Sequence, residues 1–180
     1  MIRSVVLRYA IVSIGLLAAT SGVAARAEAR DVLLDVPYVS QTEQLCGAAA
    51  VVMVLRYWGA RDVFPQDFAA LVDREAGGIH TSALREAITK RGWSAMSPVA
   101  GSDESRDWLR DEVNKGRPVI TLIQEAPRVL HYVVVVGATS DAVVFHDPAR
   151  APFRVVPRSE FDERWSAAGR WTVIVLPGPN

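Results

Sequence analysis

The chain has 180 residues, half of them hydrophobic, and its 20 basic and 20 acidic residues cancel to a formal charge of zero. That length and apolar content suit one domain with a full core. The neutral balance supplies no basic surface for phosphates and no charged tail, so nucleic acid is not expected as a partner.

Arg3 and Arg8 precede an apolar run from Ala10 to about Ala19, and Ala25-Arg26-Ala27 has the small-x-small form of a cleavage site. Residues 1–27 therefore read as a secretory signal peptide and 28–180 as the mature domain, periplasmic or secreted. The alternative is an uncleaved N-terminal membrane anchor, although the run falls short of the roughly 20 residues that a span needs.

Cys46 is the only cysteine. In an exported chain it has no internal disulfide partner, so it is either a small buried hydrophobe or a reactive thiol. The stretch Ser40 to Ala50 turns from loop to helix. From Ala48 to Trp58 nearly every residue is apolar, with Arg56 and Tyr57 the exceptions, and Gly59 supplies the C-cap of a mostly buried helix. A thiol in the first turn meets unsatisfied N–H groups and the positive end of the helix dipole, which favour thiolate. Gly47 is expected to let a substrate carbonyl approach the helix start, where the Cys46 N–H can donate to an oxyanion. Gln41, five positions upstream, can bring a side-chain amide to the same place.

Further along, Pro65 suits the first turn of a short helix reaching about Asp73, and Ala76-Gly77-Gly78 is a loop. Thr81 or Ser82 is expected to cap a helix from Ala83 to Arg91, closed by Gly92. A second amphipathic helix is predicted from about Glu104 to Lys115, burying Trp108, Leu109 and Val113. The pattern then changes. Val119–Gln124, Leu130–Ala138, Ala142–Asp147, Phe153–Val156 and Trp171–Leu176 are rich in β-branched or aromatic residues and separated by turn residues. A late helix from Ser159 to about Ala168 interrupts these strands. Helices first and mainly antiparallel strands afterwards indicate an α+β fold. The five tryptophans sit at packing positions.

A cysteine nucleophile needs a base, and the base needs a third group to hold its ring. Of the three histidines, His131 opens the strongest strand, and a turn centred near Thr139 would set it opposite Asp147, with Cβ atoms about 5 Å apart. Asp147 could then accept from His131 Nδ1 while Nε2 faces Cys46. His146 points to the other face of that strand and reads as a packing or surface residue. His80 either lines the cleft edge or has no role. No Cys-x-x-Cys or His-x-x-x-His pair is present, so no metal and no cofactor is expected. Gly77-Gly78 is too short for a phosphate loop, and ATP binding by this chain is not expected either.

Three motifs, Gln41…Cys46-Gly47-Ala48-Ala49, His131-Tyr132-Val133-Val134-Val135 and Asp147-Pro148, occur in that order. Together they resemble the papain-like cysteine peptidase family that cleaves double-glycine leaders of bacteriocins, in particular its stand-alone bacterial branch. The likeness runs from about Val36 to Pro177, and departs from the pattern at Ala48, where members usually carry proline. It implies a papain-like fold with the nucleophile on a central helix and an antiparallel sheet in the C-terminal half. It also implies a Cys46–His131–Asp147 triad with Gln41 and the Cys46 amide as the oxyanion hole, and cleavage after small residues such as Gly-Gly. The implied partner is a polypeptide, either a leader or a secreted glycine-rich protein, with association with a secretion system. Two other readings use the same residues: a thiol amidase or acyltransferase, and a non-catalytic peptide-binding module.

Overall fold

The computed structural model describes residues 31–97 and 105–178. The expected signal peptide at 1–27 lies outside the described residues. Nine consecutive buried residues, Gly47 to Leu55, form the body of α1 (Cys46–Tyr57). Each fully buried valine or leucine there contributes about 1.5–3 kcal/mol of hydrophobic stabilisation. Gly59, at φ 97°, closes the helix: its N–H bonds to Arg56 O, and the N–H of Ala60 reaches back to Leu55 O.

The segment after α1 departs from the single short helix expected. Pro65–Leu71 is a 3-10 turn with Asp67 Oδ2 accepting from the Phe64 N–H, and it runs into β1 (Val72–Asp73), which pairs with β2 (Gly78–Ile79). The N-cap of α2 (Thr81–Lys90) is His80, with no side-chain cap bond, rather than Thr81 or Ser82. Its backbone is extended and its carbonyl already takes the Leu84 N–H, so the helix starts one residue earlier than hydroxyl capping would place it. β3 (Ser94–Met96) follows and is too short to be read from periodicity. α3 (Ser105–Asn114) buries Leu109 and Val113 and half-buries Trp108. Glu104, its expected start, lies outside the described residues.

The remaining elements are β4 (Val119–Ala126), β5 (Val129–Ala138), β6 (Ala142–Asp147), β7 (Ala151–Pro157), α4 (Arg158–Ala167) and β8 (Thr172–Leu176). Six strands form one sheet in the order β3-β8-β4-β5-β6-β7, with every neighbouring pair antiparallel. β5 and β8 are buried over most of their length, as their unbroken apolar runs imply. α1 and α3 lie against β5, and α4 against β4. This is the mixed, mainly antiparallel architecture expected from the sequence.

The β5–β6 register differs from the expected one. Thr139 Oγ1 accepts from the N–H groups of Asp141 and Ala142, and the Thr139 N–H bonds to Ala142 O, so the turn sits one residue later than a centre at Thr139. A bulge between Val135 and Gly137 then shifts the ladder, and Val134 faces His146. Continued, that register puts Asp147 against Val133, two residues from His131. A two-residue offset keeps both side chains on one face. They meet diagonally, not directly.

Candidate active site

Cys46 is the first residue of α1, with Leu45 as N-cap and no side-chain cap. Gln44, at φ 61°, turns the loop sharply just before it. The first intrahelical bond runs from the Ala49 N–H to Leu45 O at 2.9 Å, which leaves the Cys46 N–H with no partner inside the helix. Burial pushes the thiol up. Hydrogen bonding to His131, the N–H groups of Tyr132 and Gly47 and the charge of His131 outweigh that and hold it below its ordinary value.

His131 lies on β5, 8% exposed. Its Nε2 is 2.8 Å from Asp147 Oδ1, so Nδ1 is left for Cys46. The ring is thus turned the other way from the sequence-based expectation. The bond joins residues that the β5–β6 register sets diagonally to each other. Burial lowers the basicity of His131, but the bond to Asp147, the bond to Cys46 and the charges of both raise it to about 9. Cys46, His131 and Asp147 therefore stand in series, with His131 bonded to Asp147 and the thiol held below its ordinary value beside the ring.

Asp147 is fully buried. Burial pushes its carboxyl up, yet His131, Arg150 and Arg154 hold it far below the usual carboxylate range. Oδ1 takes His131 and the Ala149 N–H at 3.0 Å, while Oδ2 takes Arg150 at 3.0 Å and Arg154 at 2.5 Å. Neither arginine was anticipated from the sequence. Arg150 stands three residues after Asp147 in a tight turn, a signal that was legible, whereas Arg154 comes from β7.

Gln41 precedes the nucleophile in the loop, and its N–H bonds to Pro148 O at 2.9 Å. Its side-chain amide makes no hydrogen bond among the described residues, and Oε1 is buried. Tyr38 reinforces the same junction through its hydroxyl, which donates to Asp147 O at 3.0 Å. Two contacts thus tie the loop before Cys46 to the end of β6.

Gly47 is buried, and a Cβ on it would sit 3.1 Å from Cδ2 and Cε2 of Tyr132. The missing side chain makes room for that ring. Tyr132 in turn donates to Ile79 O at 3.0 Å and packs edge-on against Trp171.

A cleft of about 360 Å³ opens at Cys46, walled by Tyr132, Leu122 and Leu130 on one side and by the residues from Ala76 to Thr81 on the other. His80 is on its rim, 3.0 Å from Asp73 Oδ2. His146 is buried and neutral, its basicity lowered by desolvation: Nε2 donates to Val36 O at 2.9 Å and Nδ1 accepts from the Phe153 N–H at 3.0 Å. It is a packing residue. Among the described residues no cluster of His, Cys, Asp and Glu is placed to hold a metal ion.

With this geometry in hand, the relatives can be placed. Residues 33–173 match the model of the Peptidase_C39 like family. The lactococcin-G-processing and transport ATP-binding protein LagD of Lactococcus lactis is 28% identical over 140 residues, 78% of this chain and 18% of LagD. The transport/processing ATP-binding protein ComA of Streptococcus pneumoniae is 25% identical over 145 residues, 79% of this chain and 19% of ComA. The chain therefore spans less than a fifth of the length of these curated relatives. Among solved structures, a C39-like protein of Bacillus anthracis is similar at a TM-score of 0.68 and 19% identity, covering 83% of this chain and 99% of that one. The peptidase domain of Streptococcus ComA gives 0.62 at 20% identity, covering 77% and 96%. A double glycine motif protease from an AMS/PCAT transporter, solved with its leader peptide, gives 0.57 at 23%, covering 82% and 97%. At such identities these likenesses establish the fold, that of papain-like C39 peptidase domains. The family match covers most of the sequence, and the chain belongs to the Peptidase_C39 like family.

Proposed function

We propose that this chain is a cysteine peptidase with Cys46 as nucleophile, His131 as acid and base, and Asp147 as the group that holds the ring. The observation that carries the reading is Cys46 on the wall of the cleft with His131 behind it, bonded to Asp147 at 2.8 Å, the thiol lowered and the imidazole raised to about 9. The Cys46 thiolate attacks the peptide carbonyl carbon. The oxyanion takes hydrogen bonds from the free Cys46 N–H and the uncommitted amide of Gln41. His131 Nδ1–H protonates the departing amine, leaving a thioester, and the neutral ring then takes a proton from the water that hydrolyses it.

The substrate is a polypeptide cut after small residues, with Gly-Gly the leading candidate, in a leader or an exported protein. Support comes from the family and from relatives described as lactococcin-processing or as a double glycine motif protease. The protein acts in the periplasm or outside the cell in association with a secretion system, after removal of residues 1–27. N-terminal sequencing of the exported protein should start near Glu28; a chain retaining Met1 in the membrane fraction rejects that placement.

Mass spectrometry of a Gly-Gly leader peptide incubated with wild type and with Cys46→Ala tests the activity. Cleavage after the glycines by wild type alone is expected. Transfer to an added amine without hydrolysis shows an acyltransferase, and neither product shows a binding module.

A further inference from the structure

A chain of alternating charges runs behind the candidate triad. Four adjacent strands each contribute one group to it: Glu125 from β4, His131 from β5, Asp147 from β6 and Arg154 from β7. Arg150, in the turn between β6 and β7, closes the circuit by binding Asp147 Oδ2 at 3.0 Å and Glu125 Oε1. Arg164 of α4 holds the other oxygen of Glu125 at 2.5 Å and donates to Gln124 O at 3.3 Å. Glu125 occupies the bulge between Gln124 and Ala126, where the β4–β5 ladder shifts register before Ala126 pairs with Val129. An unbulged strand would leave it in ladder register; the extra residue re-aims it.

The arrangement has a clear electrostatic logic. A carboxylate flanked by two guanidinium groups is pulled toward them and away from the ring that it must orient. Glu125 draws one of the two, Arg150, outward and offsets its charge. Arg154 fixes Oδ2 from the opposite strand, so Oδ1 is the oxygen left pointing at His131. We propose that Glu125, Arg150 and Arg154 are positioning residues that aim Asp147 Oδ1 at His131 and hold the ring in place. The proposal rests on the cysteine peptidase reading above and adds to it a set of residues that touch no substrate.

The charged and titratable groups facing His131 and Asp147 are Cys46 from α1, Glu125 from β4, Arg150 and Arg154 from the β6–β7 hairpin, and the Tyr38 hydroxyl from the N-terminal segment. Of these, Glu125 is the one that can be neutralised without touching Asp147, since it bonds only to the two arginines and faces His131 at longer range.

The test uses iodoacetamide labelling of Cys46 across pH, alongside kcat and KM for a cleaved peptide, in wild type, Glu125→Gln, Arg154→Met and Arg154→Lys. Glu125→Gln should lower kcat about 10- to 100-fold with KM little changed, the size expected when a supporting group lets an orienting residue drift. The alkaline limb of its rate profile should move to lower pH, because Asp147 then supports the imidazolium less well. Arg154→Met should also lower kcat, by releasing Oδ2 and letting the carboxylate rotate, but without moving the alkaline limb to lower pH, because it removes a cation; Arg154→Lys should recover most of the kcat loss. A wild-type profile in both Glu125→Gln and Arg154→Met, with wild-type labelling fast near pH 6, overturns the proposal and leaves the network a purely structural one. If Arg154→Met fails to fold, the partly exposed Glu125→Gln still decides. Slow wild-type labelling that climbs only around the roughly pH 8.5 of an ordinary thiol instead overturns the peptidase reading beneath it.

Discussion

His131 and Asp147 are bonded through Nε2 and Oδ1 at 2.8 Å although the hairpin does not set them opposite each other. The pair is diagonal, and the two strands alone do not hold it. Arg150, Arg154 and the Ala149 N–H occupy the remaining acceptor sites of Asp147 and fix its carboxylate. Replacing Asp147 by asparagine keeps the shape but takes the counter-ion from Arg154 and leaves Arg150 with Glu125 alone. Asp147→Asn should therefore lower kcat by roughly 10³- to 10⁴-fold, as loss of an orienting carboxylate does in a triad, and should also reduce thermal stability. Steady-state kinetics and a melting curve check both; unchanged turnover removes Asp147 from the mechanism.

The pH dependence follows from the opposite displacement of the thiol and the ring. Cys46 is held below its ordinary value and His131 is raised to about 9, so activity is expected between the titration of the thiol and that of the ring. The rate should fall as pH rises through about 9, where the ring loses the proton that it gives to the leaving amine, and should fall on the acid side as the thiolate protonates. A kcat/KM profile with an alkaline limb near 6.5 instead would show an unperturbed histidine.

Stability should carry two opposed signatures. His131 has a folded value above its unfolded one, so its contribution is fully present below about pH 6.5 and is lost as pH rises toward 9. His146 has a lowered folded value, so its contribution is present at higher pH and is lost as pH falls below about 6.5. Chemical denaturation of His146→Phe should show a loss of about 1–3 kcal/mol for each unpaired backbone group, at Val36 O and the Phe153 N–H. Its Cys46 labelling rate should stay at the wild-type level; a large change there would give His146 a part in the chemistry.

Gln41→Ala removes a side-chain amide whose buried Oε1 has no hydrogen-bond partner among the described residues. Its stability should hardly change, while kcat should fall roughly 10²- to 10³-fold if the amide serves the oxyanion. Wild-type kcat would assign Gln41 only its backbone role, the bond to Pro148 O.

Gly47→Ala tests the packing reason for that glycine. The new methyl group would press on the Tyr132 ring at 3.1 Å, and overpacking of this kind costs about 1–3 kcal/mol. Urea titration should show that loss. Gly47→Ala combined with Tyr132→Leu should recover part of it, whereas additive losses would place the constraint elsewhere.

Local physics made much of this protein legible in its sequence. The apolar run after Cys46 fixed a buried helix with the thiol in its first turn, and the unbroken valine runs fixed central strands, because periodicity and β-branching act over a few neighbouring residues. Those same features placed Cys46, His131 and Asp147 in elements that the fold brings together. The tertiary structure alone decided how they meet. Thr139 and the bulge at Val136 set the register, which places His131 and Asp147 on a diagonal, and Nε2 rather than Nδ1 reaches Asp147. Glu125 and Tyr38 reach the site from residues distant in sequence and Arg154 from the neighbouring strand, and the ring of Tyr132, 85 positions from Gly47 (132 − 47), packs against the helix start. Such contacts depend on which side chains the sheet order makes neighbours, and no pattern confined to one segment carries that information.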